Sequence, residues 1–448
     1  MIQIPALFLA VLLLISPYAQ AAELRRISLK EAVAEGLERN HQVRAATYET
    51  TAAEAGARVS ASHYWPQLFF EESVSASNTP TRTFMMKLDQ GRFTQNDFQI
   101  NNLNNPKTVT DFRTSVTWEQ PLFVPAAFAE RRIAARDAEQ QRIAQTTTRE
   151  QTAFRIFQTY LDVQKSAAYL QASRQSLVEA QESRRLAQAR TAAGLGLKSD
   201  ELRVGTHLSV IEQQVVTATN NLTLARLQLA LLTGGRPDEE LEIIPLTEEL
   251  TVPTSLEELA EKALAVRSDV RHAQAALEKA DATVLAARSA YLPSLAGVAG
   301  YQLNDHRNPF NAEHDAWMAG LNLRWNLFDG FRRENRHEKA SASRSAAVEL
   351  LEQSRRTVQY QLHENWLRRH EVEKQYMAAR SSVVSAQETV RLLSRRFEND
   401  LATMLELLDA QSALNQTRAM LVESETNRYL ATGRIWYAAG IFLQEVQK

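Results

Sequence analysis

Few clusters in this chain hold side chains whose types and spacing could do chemistry. The stretch NDHRNPFNAEHD (Asn304 to Asp315) carries His306, Glu313, His314 and Asp315, imidazoles and carboxylates of the kind that take a divalent cation. A polar external loop explains the same composition, and that reading is preferred, so no metal ligand is assigned. HENWLRRH (His363 to His370) lacks the i, i+4 histidines that place two imidazoles on one helix face for zinc, and reads as a solvated helix face. Gly194-Leu195-Gly196 is not a phosphate loop, because it follows a helical stretch and lacks the strand and the third glycine. Glu406 and Asp409 stand three positions apart, so on a helix they share one face. No set of nucleophile, base and orienter presents itself, and with no cysteine there is no thiolate chemistry. The expectation is a protein that is not an enzyme, with no cofactor. A net charge of −2 offers no basic face for nucleic acid.

What positions these groups must be read from the rest of the 448 residues, a length that by itself suggests two or three domains. The apolar run ALFLAVLLLI (Ala6 to Ile15) is followed by Ser16, Pro17 and Ala19-Gln20-Ala21. That is a signal peptide over residues 1–21, with a small-x-small cleavage site, although no Lys or Arg precedes the run. The run is too short to span a bilayer, which takes about 20 apolar residues. No later segment reads as a membrane-spanning helix, so the exported chain is periplasmic, secreted, or an outer-membrane barrel.

The chain repeats itself. Shifted by 227 positions, the segment from Ser28 to Leu68 falls on Ser255 to Leu295 with 13 identities in 41 positions. Among them are Tyr64, Pro66 and Leu68, which land on Tyr291, Pro293 and Leu295. Farther on, VEAQESRRL (Val178 to Leu186) falls on VSAQETVRL (Val384 to Leu392) at a shift of 206. The difference, 227 − 206 = 21, is extra chain in the first copy around LDQGRFTQNDFQINNLNNPKT, read as a longer polar loop. Each copy begins with a helix, over Leu29 to Ser62 in the first, stopped by the proline of Tyr-x-Pro-x-Leu. Two strand-like runs follow, giving hairpins at about 67–120 and about 295–326. In the second copy Trp317, Ala319, Leu321, Leu323 and Trp325 alternate with Met318, Gly320, Asn322, Arg324 and Asn326. In the first, Phe112, Thr114, Val116 and Trp118 alternate with Arg113, Ser115, Thr117 and Glu119. Period-two alternation with aromatics on one side suits a strand with one lipid face and one wet face.

QPLF (Gln120 to Phe123) and WNLF (Trp325 to Phe328) lead into long helical stretches. From Phe331 to Thr432 there is neither glycine nor proline, and the composition favours helix formers. A helix from about Ala126 to Ala193 would be about 100 Å long, with Gly194-Leu195-Gly196 turning the chain back. Four strands cannot close a barrel, and open edges are forbidden in lipid, so several chains must share one barrel. The alternative is a periplasmic coiled-coil structural or adaptor protein.

The tandem repeat, both Tyr-x-Pro-x-Leu phrases, QPLF, WNLF and two helix-turn tips together resemble the TolC family of outer-membrane efflux proteins, over nearly the whole exported chain. The resemblance implies a mainly α fold with a β-barrel portion: a long α-helical periplasmic barrel and an outer-membrane β-barrel shared between protomers, four strands per chain. It implies repeats at 22–234 and 255–448 joined by an equatorial linker at 235–254. It further implies a homotrimer in outer-membrane lipid, acting as a passive exit duct for efflux or type I secretion. The implied partners are a periplasmic adaptor and an inner-membrane transporter of the RND or ABC type. The family tip motif maps onto Gly194, Leu195, Asp200 and Leu202, and in the second copy onto Asp400, Leu401, Glu406, Leu408 and Asp409. Gly194, Leu195, Asp400 and Leu401 would then be adaptor-docking tips, and Asp200, Glu406 and Asp409 would line the periplasmic aperture. In a trimer, repulsion within that acidic ring should raise some carboxyl pKa values. Ala402 stands where the family has an arginine that helps lock the closed tip.

Overall fold

The computed structural model describes residues 25–236, 241–311 and 313–448. The export segment at 1–21 lies outside the described residues. A short strand β1 (Arg25–Ile27) leads to α1 (Leu29–Arg39) and α2 (His41–Ser62), then strand β2 (Gln67–Ser77). Helix α3 (Pro80–Asp89), a 3-10 turn (Gln95–Phe98) and α4 (Ile100–Asn104) precede strand β3 (Val109–Phe123). Helices α5 (Pro125–Ala192) and α6 (Lys198–Thr233) complete the first copy. The second copy follows strand β4 (Leu241–Ile243) in the same order. It has α7 (Leu256–Val266), α8 (Ser268–Ser289), β5 (Ser294–Asp305), β6 (His314–Arg324), α9 (Arg332–Glu398) and α10 (Met404–Ala438), and α11 (Phe442–Val446) closes the chain. No described helix is long and apolar enough to cross a membrane.

The chain forms two compact units. The sheet unit comprises Ala46–Thr147 and Ala265–Thr357. Its four strands are ordered β2-β3-β5-β6, all neighbours antiparallel. The two hairpins therefore join through β3 and β5, and β2 and β6 are left as edges. The register aligns Phe70, Val116, Tyr301 and Trp317 in one row across the sheet. Leu68, Trp118, Ala299 and Ala319 form another row on the same face, two residues on. The opposite face carries Ser73, Arg113, Asn304 and His314 in one row.

The helical unit comprises the chain up to Ala45, Thr148–Leu264 and Val358–Lys448. Its core gathers Phe157, Tyr160, Leu229, Ile435, Trp436 and Phe442, all buried. Packing there is close enough that a Cβ on Gly433 would lie 2.2 Å from the Phe157 ring. β1 and β4 pair in parallel, Arg25 opposite Leu241. The Tyr160 hydroxyl donates to the carbonyls of Ile27 (3.2 Å), the last residue of β1, and of Ile244, which follows β4. Burial pushes its pKa up to about 12.

Two features differ from the sequence reading. The first helix is not continuous but breaks at Asn40. That side chain accepts from the amide of Gln42 (2.8 Å), as an N-cap does, and donates to the carbonyl of Leu232 (2.9 Å). The polar loop of the first copy also contains helix. Thr94 and Asp97 form a capping box that starts the 3-10 turn. A hydrogen bond from Lys87 (2.6 Å) holds the Asp97 carboxyl down to about 2.

Candidate functional site

The sheet unit presents one face with the composition that hydrocarbon accepts. Trp317 is 77% exposed and Leu321 73%, and Leu68, Phe70, Val74 and Leu323 are exposed beside them. Large apolar side chains in this number do not stay in water without a partner phase. On the other face, the loop between β2 and β3 folds over the end of the sheet. Gln90 donates to the Asp111 carboxylate (2.9 Å), Asn304 donates to the same carboxylate (3.0 Å), and Arg113 pairs with Asp89 (3.1 Å). Asp111, Gln90 and Asn304 are buried, so this polar face is covered where α3 meets it.

The tips of the helical unit close in the same way in both copies. Gly194 takes φ 74° and Asp400 φ 60°, the left-handed conformation that ends a helix. The amide of Leu195 donates to Arg190 carbonyl (2.9 Å), and that of Leu401 to Arg396 carbonyl (2.8 Å). Each is a six-residue closure of the Schellman type. The sequence reading of Asp400 as a stand-in for glycine rested on its tolerance of this region, and the backbone adopts it. Both closures push a leucine outward: Leu195 is 71% exposed and Leu401 67%.

Beneath the tips lies a small core of Ala187, Val204, Phe397, Met404, Leu407 and Leu408, with Ala402 packed on its edge. Ala402, at the position where the resemblance places a family arginine, therefore contributes apolar contact. A cation from the other copy reaches the same turn. Arg190 pairs with the Asp400 carboxylate, donates to the Phe397 carbonyl (3.3 Å) and stands 4.9 Å over the Phe397 ring. Sequence reasoning missed this residue, because nothing local marks an arginine whose partner is 210 positions away.

The acidic residues assigned to an aperture are placed as follows. Glu406 and Asp409 are exposed near the start of α10, and Asp200 is half-buried in the first turn of α6. No hydrogen bond or ion pair among the described residues joins Asp200 to the other two. Glu406 has a local role that was not foreseen. Its carboxylate accepts from the amide of Thr403 (2.7 Å) and its hydroxyl (2.9 Å), while the Thr403 hydroxyl accepts from the amide of Glu406 (3.2 Å). This capping box opens α10. The Thr403 backbone bond, aided by the Thr403 hydroxyl, holds the Glu406 carboxyl below the usual range. Within one chain, the shift thus runs opposite to the rise expected from repulsion.

A polar seam joins α5 to α10 above the tip core, and sequence reasoning missed it too. Glu179 meets Arg418 through two bonds of 3.0 Å, Gln411 donates to Ser183 (3.0 Å), and Ser176 donates to Asn415 (2.5 Å). The recurrence of VEAQESRRL as VSAQETVRL does not mark it, since the copies differ at both Glu179 and Ser183.

Of the histidines and carboxylates in the β5–β6 turn, His306 and Glu313 come together with Asp305, their ligand atoms within 4.8 Å of one another. His314 instead lies against Gly91, and Asp315 accepts from the Tyr301 hydroxyl (2.9 Å).

Comparison with known proteins matches this arrangement. The family described as "Outer membrane efflux protein" matches residues 32–235 and 259–440. The chain is 23% identical to the cation efflux system protein CusC of Escherichia coli O157:H7 over 429 residues, covering 91% of this chain and 86% of CusC. It is 26% identical to the outer membrane protein OprJ of Pseudomonas aeruginosa over 298 residues, 64% of this chain but only 60% of OprJ's own length. The solved structure of the CmeC outer membrane channel of Campylobacter jejuni superposes with a TM-score of 0.79 at 16% identity, covering 92% of this chain and 86% of CmeC.

Proposed function

Since the chain belongs to the outer membrane efflux protein family, we propose that it is the trimeric exit duct of a tripartite efflux or type I secretion system. The protein is an outer-membrane protein whose long helices make up a large periplasmic portion. The duct is passive: it supplies a path, and the energy comes from an inner-membrane transporter of the RND or ABC type through a periplasmic adaptor. Leu195 and Leu401, with their turn residues Gly194 and Asp400, dock the adaptor. Asp200, Glu406 and Asp409 face the periplasmic aperture. Residues 22–234 and 255–448 are the two repeats, and 235–254 is the equatorial linker between them.

The observation that carries this reading is the four-stranded sheet with one apolar face and two unpaired edges, β2 and β6. A sheet edge in hydrocarbon leaves amides and carbonyls unbonded, each at a cost of several kcal/mol. Pairing β6 of one chain with β2 of the next removes both edges, and three chains give twelve strands around a wet lumen. A coiled-coil adaptor in the periplasm would have no use for such a face. The test is native mass spectrometry and planar-bilayer conductance of protein extracted from outer membranes. A three-chain species that conducts ions supports the reading. A stable monomer, or protein that washes from membranes with alkali, overturns it.

A further inference from the structure

We propose that the segment between β2 and β3 narrows the outward mouth of the duct, and that Met85 and Leu88 of each chain line the opening as an apolar constriction that selects what passes. The inference rests on the duct reading, in which three four-stranded sheets share one barrel.

A barrel hairpin does not need this much chain. In the second copy β5 and β6 are joined by the short segment 306–313, whereas β2 and β3 are joined by 78–108. The added chain is built as a fixed part and not as a loose loop. Phe93 packs edge-on against Phe84 and Phe98, with ring centroids 4.5 and 5.1 Å away, and Lys87 bonds Asp97 (2.6 Å). The segment is also tied to the sheet. Thr83 donates to the Ser77 carbonyl (3.0 Å) at the end of β2, and the buried Gln90 donates to the Thr110 carbonyl (2.8 Å) on β3. The turn after α3 reaches β6, where a Cβ on Gly91 would stand 3.5 Å from His314.

From these ties α3 runs across the strands at their outer ends, over the face that carries Arg113, Asn304 and His314. Its length fits that path. Its 10 residues rise about 15 Å, and the three spacings from β2 to β6 measure about 14 Å. Helical geometry then decides which side chains point away from the wall. Thr83, Met86 and Gln90 recur at helical spacing and are buried, with Thr83 and Gln90 bonded to the sheet. At 3.6 residues per turn Met85 and Leu88 fall on the opposite side, and they are 54% and 42% exposed. In a shared barrel whose polar face is the lumen, that side faces the axis.

Dimensions make the opening narrow. Twelve strands about 4.8 Å apart and tilted about 40° close a ring roughly 24 Å across. A helix laid along the inner wall is itself about 10 Å thick, so three of them take up most of that width. Six apolar side chains, two from each chain, then border what is left. A narrow apolar opening sheds its water and resists hydrated ions. Apolar and amphipathic cargo, which loses little hydration there, passes more readily.

The chain has no cysteine, so one introduced thiol can report this position. Full-length Leu88→Cys is treated in planar bilayers with a bulky thiosulfonate, and complete labelling is confirmed by mass. Most of the current should be lost, while wild type, which has no thiol, keeps its current under the same treatment. A second variant, Met85→Gln/Leu88→Asn, keeps the side chains near their original size but lets the opening stay wet, so conductance should rise about twofold or more. Both are measured in an Arg190→Ala background, which removes the tie between the tips and keeps the far end from limiting the current. Thr83, Met86 and Gln90 stay in place to hold α3, and the yield of heat-stable oligomer shows that the variants assemble. Unchanged current in labelled Leu88→Cys, or unchanged conductance in Met85→Gln/Leu88→Asn, overturns the constriction and leaves the duct reading standing. Wild-type protein that does not conduct overturns the duct reading itself, and the constriction with it.

Discussion

Arg190, near the end of α5, holds the carboxylate of Asp400 at the turn between α9 and α10, so one side chain ties the tips of both helical hairpins together. Asp400 is 72% exposed at this pair, so the ion pair alone contributes only about 0.2–1 kcal/mol. The ring contact with Phe397 adds about 0.5–1 kcal/mol, and the bond to the Phe397 carbonyl anchors the guanidinium from a third side. Arg190→Ala should therefore loosen the tips more than Asp400→Asn does. Hydrogen exchange of the amides at 396–403 reads this directly, with the larger gain in rate expected for Arg190→Ala. Equal gains in the two variants would mean that the ion pair is the whole of the contact.

The two faces of β6 should tolerate charge very differently. Leu321 belongs to the face of Trp317 and Leu323, and Asn322 to that of Met318 and Gly320. A charge facing lipid near the bilayer midplane costs about 2–4 kcal/mol, whereas one in a wet lumen costs little. Leu321→Arg should impair assembly into the outer membrane, and Asn322→Arg should assemble normally. The measurement is the amount of heat-stable oligomer in outer-membrane fractions, and equal yields would remove the barrel assignment.

Much of this was legible because it rests on periodicity and chain breakers. The aromatic alternation from Trp317 to Trp325 marks a strand with two unlike faces. The absence of glycine and proline from Phe331 to Thr432 marks the long helical stretch, which begins at Arg332, turns at 399–403 and runs on through Gly433 to Ala438. What escaped depends on partners distant in sequence. Asn40 breaks its helix because the Leu232 carbonyl lies within reach, which no local propensity encodes. The pairing of β1 with β4 involves only three residues on each side, too few for a periodic signal. Thr403, three residues before Glu406, spells a capping box in the sequence, a local signal that the aperture reading of Glu406 leaves out.

Charge at the tips should separate docking from folding. Leu195 and Leu401 are exposed, and neither belongs to the core beneath, which is built from Phe397, Met404, Leu407 and their neighbours. Leu195→Glu and Leu401→Glu should leave stability within about 0.5 kcal/mol, as surface changes usually do. Efflux or secretion with the native adaptor and transporter should nevertheless be lost. Thermal unfolding and cargo export, measured on the same variants, check both halves. A fall in unfolding temperature alongside lost export would give these leucines a structural role instead.

The capping role of Glu406 sets how the start of α10 should respond to acid. Its folded-state carboxyl lies below the unfolded value because Thr403 bonds the charged form. A group shifted down contributes stability that is fully present above the unfolded carboxyl pKa, about 4.3, and that is lost as pH falls through the lower folded value. The start of α10 should therefore hold at neutral pH and fray only in strong acid. Glu406→Gln should show no such pH dependence in the exchange rates of the 403–407 amides. Asp409 is exposed and makes no part of that cap. If Asp409 faces the aperture, Asp409→Asn should reduce cation preference in planar bilayers with the α10 start intact. Glu406→Gln should reduce selectivity less, because its charge is partly engaged by Thr403. Glu406→Ala/Asp409→Ala channels that keep wild-type cation preference and block by divalent cations would show that these carboxylates do not line the pore.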